Sequence, residues 1–172
     1  MKHRTTAQTL KLAAELQKLV HDEIKPPSAT APSYNEPVIY MALVTGTRGY
    51  IERVAHQING CYQNGWYDSS SVMIRRLIET LIIECYETHQ IQNNIKDRDG
   101  NYLFLKDLID RTLSEPTWTI GRSTRQALPK LKDVGDKAAH NRRYNAYRQD
   151  IDKIIPALRD VVQELSSLAR LK

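Results

Sequence analysis

Apolar residues recur three and four positions apart along most of this chain, the spacing that gathers them on one face of an α-helix. Leu10, Ala13, Leu16, Val20 and Ile24 predict a first helix over Thr5–Ile24, ended by Pro26-Pro27. The segment Pro26–Pro37 holds four prolines and little to bury, so it reads as a linker that leaves the first helix to dock loosely or on another subunit. A second helical region runs over Val38–Gln63, broken near Gly46 and Gly49. Its stripe is Tyr50, Val54, Ile58 and Cys61, and Asn64-Gly65 closes it.

Asp68 to Ser71 supply candidate N-caps for a third helix that reaches about Thr88. This stretch is the most apolar in the chain, with Val72, Ile74, Leu77, Ile78, Leu81 and Ile82, and is expected to be the central buried helix. Glu79 stands four residues from Arg75 and three from Arg76, so a structural ion pair on one helix face is expected there. Ile95–Leu105 reads as one short β-hairpin turning at Asp99-Gly100. A helix over Lys106–Ser114 follows, and Glu115-Pro116 ends it. The next helix spans Ser123–His140 on a stripe of Leu128, Leu131, Val134 and Ala138, weakened by Pro129 and Gly135. The last runs from Arg148 to Leu171. Pro156 either kinks it or marks the true start after a short turn.

The pattern therefore predicts an all-α bundle with an extra N-terminal helix and one hairpin near residues 95–105. Its organisation is a helix over 1–25, a proline-rich linker over 26–37 and a helical domain over 38–172. A length of 172 residues suits one domain with a core of its own. Phe occurs once and Tyr nine times, so part of the aromatic surface is expected to meet water, a partner or a ligand. Cys61 and Cys85 match no zinc spacing and no disulfide framework, and read as reduced core thiols. No apolar stretch follows Met1, and the run Val38–Val44 is too short to cross a bilayer. The expectation is a cytoplasmic protein with no membrane contact.

Charge changes this picture. Between Arg122 and Arg148 stand eight basic and two acidic residues, a net of +6, whereas the remaining 17 basic and 18 acidic residues net −1. One segment thus carries the whole formal charge of +5. Such focusing favours an anionic partner, nucleic acid above all, and competes with the plainer reading of a solvated Lys/Arg-rich helix face.

Two motif-like stretches fall away. Asp97-Arg98-Asp99-Gly100-Asn101 starts like a calcium loop, but its glycine is at position four and Leu108 stands at position twelve. Gly46-Thr47-Arg48-Gly49 has the form of a KH-domain loop, yet no strands surround it. His3, His21, His56 and His89 are scattered without ligand spacing, so neither metal nor cofactor is expected.

What stays is Lys132-Asp133-Val134-Gly135-Asp136-Lys137-Ala138-Ala139-His140-Asn141-Arg142-Arg143. An imidazole can take a proton from a ribose 2′-hydroxyl, and Lys or Arg can hold the phosphate beside it. The same residues can grip a phosphate without cutting it. His140 can equally bond a helix-end carbonyl while the arginines are solvated. The candidate set is His140 as general base with Asp136, and Lys132, Lys137, Arg142, Arg143 and Arg148 as nucleic-acid contacts.

Gly65-Trp66-Tyr67-Asp68 leading into Arg75-Arg76-Leu77-Ile78-Glu79-Thr80-Leu81, and then Gly135-Asp136-Lys137-Ala138-Ala139-His140, resemble two motifs of an uncharacterised bacterial branch of the HEPN superfamily. The resemblance runs in order over about Gly49 to Leu168. It implies an up-and-down helical bundle that pairs as a homodimer, with metal-independent RNA cleavage in its nuclease branch, often in toxin–antitoxin or antiviral defence. By that resemblance the motif histidine is His140, the polar residue after the motif arginine is Asp136, and the arginine itself falls on Gly135. The leading expectation is a non-catalytic or weakly catalytic RNA-interacting dimer. The alternatives are a ribonuclease using His140 and a purely structural dimerisation module, with the N-terminal helix open to a partner protein.

Overall fold

A computed structural model describes residues 11–15 and 36–172. Residues 11–15 are helical, with Leu12 and Ala13 exposed. The rest of the expected first helix, and the linker up to residue 35, lie outside the described residues. Beyond them the fold is an all-α bundle. Its α-helices are α1 (Gly49–Gln63), α2 (Tyr67–Thr88), α3 (Leu105–Ser114), α4 (Arg122–His140), α5 (Arg148–Asp152) and α6 (Ile155–Leu168).

The apolar run of α2 makes it the centre, and it packs against each of the other five. Ile74, Leu77, Ile78, Leu81 and Ile82 are fully buried. Removing each such side chain from water contributes about 1.5–3 kcal/mol, which is why this helix organises the rest. Its N-cap is Trp66 rather than any of Asp68–Ser71, and no side chain caps it. Ser70 and Ser71 are instead buried, and the Ser70 hydroxyl donates to the Ile58 carbonyl of α1 at 3.1 Å.

The stripe of α1 is turned from the expected one. Ile51, Val54, Ala55, Ile58, Asn59 and Tyr62 face inward, whereas Tyr50 is exposed. The Asn59 amide decides this: it accepts from the Ile39 N–H at 2.9 Å and donates to the Ile39 carbonyl at 2.8 Å. A buried amide satisfied on both sides costs little to desolvate. Arg159 of α6 clamps the same stretch by donating to the Val38 and Pro37 carbonyls while stacking on the Tyr40 ring at 3.7 Å. Between residue 36 and α1 the chain makes only a 3-10 turn over Met41–Leu43, so the helical region starts later than the pattern suggests.

The expected hairpin shrinks to one antiparallel bridge between Lys96 and Tyr102. The turn itself is as read: Gly100 takes φ +86°, and the Asp97 carboxylate accepts the N–H groups of Asp99 and Asn101 at 2.9 Å. A 3-10 helix ends at Ile95 and α3 begins at Leu105, which leaves no length for strands. At Pro156 the second alternative holds. The short α5 stops, and α6 starts with proline in its first turn, where its missing N–H costs nothing. No helix among the described residues is long and apolar enough to cross a membrane.

Candidate nucleic-acid interface

The C-terminal end of α4 and the loop after it carry the candidate residues. Helix α4 stays helical through Pro129 and buries Thr124, Ala127, Leu128, Leu131 and Gly135. The inward line passes through Gly135, so Val134 and Ala138 are only half-buried. The close approach of α4 to α2 requires glycine there. A Cβ on residue 135 would stand 2.6 Å from the Arg75 Cβ and 3.0 Å from the Ser71 carbonyl oxygen. No arginine fits at this position. The place where the resemblance puts a motif arginine is a helix–helix contact.

Beside it, Asp136 is held by two cations. Arg75 Nε donates to it at 2.8 Å and Lys132 Nζ at 2.5 Å. Burial raises the carboxyl's pKa, but the Lys132 and Arg75 hydrogen bonds outweigh that and leave it below the usual carboxylate range. The Lys132 ammonium is pushed up, chiefly by its bond to Asp136. Through these bonds Asp136, the expected partner of His140, ties α4 to α2. Arg75 also reaches Glu79 at 3.6 Å, as its spacing predicts, whereas Arg76 is exposed and stands outside that pair.

The expected basic contacts divide in two. Lys132 is spent on Asp136 and Asp133. Arg148 donates to the Tyr62 hydroxyl at 3.2 Å, lies over that ring at 5.9 Å and pairs with Asp152 at 3.4 Å. Its hydrogen bond to Tyr62 raises its pKa further. Lys137, Arg142 and Arg143 are exposed, and no carboxylate pairs with them among the described residues. His140 is the last residue of α4. It is exposed, and no hydrogen bond to its ring occurs among the described residues.

The loop that bears the free arginines is itself fixed. Asn141 leaves the helix in an extended conformation, and its side chain accepts the Arg143 N–H at 3.0 Å. The Ala146 N–H donates to Asp68 in the first turn of α2 at 2.8 Å. The Tyr144 hydroxyl donates to Asp150 at 3.1 Å. These bonds hold a surface groove of about 500 Å3 whose lining includes Trp66, Asp68, Ser69, Asn145 and Tyr147. Trp66 is 47% exposed and Tyr147 63%. Trp66 stands in the Gly65–Asp68 motif but neither it nor Tyr147 is among the candidate contacts read from the sequence. The abundance of tyrosine was the one general signal for this surface. A depression on α6 of about 440 Å3 is lined by Asp160 and Glu164 and no cation, so it repels anions.

Among the described residues, no three His, Cys, Asp or Glu side chains gather as a metal site. Compared with models of known protein families, with curated proteins and with solved structures, the chain finds no match.

Proposed function

We propose that this chain is a HEPN-like helical module that binds RNA through the end of α4 and the following loop, without cutting it. The observation that carries this reading is the placement of Lys137, Arg142 and Arg143. All three are exposed and unpaired among the described residues, on a stretch of seven residues that also presents His140. Cations spent on carboxylates release no counterions from a phosphate chain, whereas free ones do. Against cleavage stand two features. The motif arginine's position is filled by Gly135, where even a Cβ clashes. The neighbouring carboxylate, Asp136, is neutralised by Arg75 and Lys132. The resemblance extends the reading to a homodimer.

Incubating the protein with labelled RNA in EDTA, beside His140→Ala, tests it. The expected result is a mobility shift that weakens with salt while the RNA stays whole. Cleavage that vanishes in His140→Ala would make the module a nuclease. No shift at any salt concentration would leave a structural domain.

A further inference from the structure

The groove between the start of α2 and the loop before α5 brings two features together. Trp66 and Tyr147 are large aromatic side chains, both substantially exposed, and both line it. Free cations lie directly along the chain from it: Arg143 precedes Tyr147 by four residues, which span at most about 14 Å. We propose that this groove is a nucleobase-stacking site, so that the module takes single strands in preference to duplex. The proposal rests on the RNA-binding reading above and specifies its substrate class.

The chemistry of the walls favours this occupant over an apolar peptide. Besides the two rings, the groove offers the Asp68 carboxylate, the Ser69 hydroxyl and the Asn145 amide. These suit the polar edge of a base and leave an apolar side chain's neighbours unsatisfied. Asp68 repels phosphate, whereas Arg142 and Arg143 attract it. The backbone of a strand is thus steered to the loop and its bases toward the groove. A duplex cannot use the rings, because its bases are already stacked and paired. Asp68 also fixes the groove by accepting the Ala146 N–H at 2.8 Å, so the platform exists before ligand arrives.

Three probes of equal length separate the terms: a 12-nucleotide oligouridine, an abasic deoxyribose-phosphate strand and an RNA duplex. Oligouridine is expected to bind about tenfold or more tighter than the abasic strand, since stacking on an aromatic ring is worth that much per base. Trp66→Ala and Tyr147→Ala should each lose about tenfold on oligouridine and nothing on the abasic strand. Trp66→Phe, which keeps a ring, should retain most of the affinity, and unchanged far-ultraviolet circular dichroism will show that each variant folds. Equal affinity for oligouridine and abasic strand, or for single strand and duplex, would overturn the stacking site while leaving the basic-loop reading intact. Failure of all three probes to bind would overturn both.

Discussion

Replacing Gly135 by alanine adds one methyl group where α4 meets α2, and two opposing effects set the outcome. Within a helix, alanine is favoured over glycine by about 1 kcal/mol. Against this, the new Cβ would lie 2.6 Å from the Arg75 Cβ and 3.0 Å from the Ser71 carbonyl oxygen. Carbon atoms prefer about 3.5–4.0 Å. Both obstacles are fixed to the backbone of α2, so relief requires moving one helix by nearly an ångström instead of swinging a flexible side chain. Overpacking of this kind costs about 1–3 kcal/mol, and a backbone obstacle puts it near the top of that range. The net expectation is a loss of about 2 kcal/mol, or a fall in melting temperature of roughly 4–8 °C. Gly60 is the control. It lies within α1, and a Cβ there meets nothing within 4 Å. Gly60→Ala should stabilise by about 0.5–1 kcal/mol. Urea unfolding of both variants, read as midpoint shifts at constant slope, makes the comparison. If Gly135→Ala is as stabilising as Gly60→Ala, the two helices do not approach as described. Gly135→Arg should be worse still, and so should produce no nuclease.

Asp136→Asn removes the charge that Arg75 and Lys132 share, and is expected to cost about 1–2 kcal/mol while leaving RNA affinity unreduced. The Asp136 pKa is depressed in the fold, so its contribution is present above the unfolded carboxylate range near pH 4 and is lost as pH falls through the folded value. The stability gap between wild type and Asp136→Asn should therefore hold from pH 5 to 7 and close in acid, as denaturation at stepped pH will show. Burial pushes the Cys85 thiol up to about 12, and its Sγ donates to the Leu165 carbonyl at 3.3 Å. Ellman's reagent at pH 8 should consequently find Cys85 unreactive until denaturant is added, with Cys61 alone reporting in the native protein.

What could be read from the sequence was set by local spacing. Helix α2 was plain because its apolar residues leave almost no polar face, and the ends of α3 and α4 were found within a residue. The α1 stripe keeps Val54 and Ile58 but departs from its spacing at Tyr50, which stays exposed, and at Asn59, a polar residue that turns inward. Asn59 is buried by a bond to Ile39, twenty residues away. The same limit governs the site. His140, Lys137, Arg142 and Arg143 stood out through charge and motif. That Asp136 and Lys132 are consumed depends on Arg75, 61 residues from Asp136, and no spacing rule reaches so far. Gly135 was read as a weak point in a helix. Its role as a contact appears only when Ser71 and Arg75 are brought against it. Trp66 and Tyr147 come from segments 81 residues apart in the chain, joined through Asp68 and Ala146.

The salt dependence of RNA binding tests the central claim most directly. Three free cations on a single strand predict that log K falls against log salt with a slope of about −2, and that each one neutralised removes about 0.7. Wild type should show that slope, Arg142→Gln with Arg143→Gln should flatten it to about −0.7, and Arg148→Gln should leave it unchanged because Arg148 is engaged by Tyr62 and Asp152. A slope indifferent to Arg142 and Arg143, or one that falls with Arg148 instead, would contradict the account.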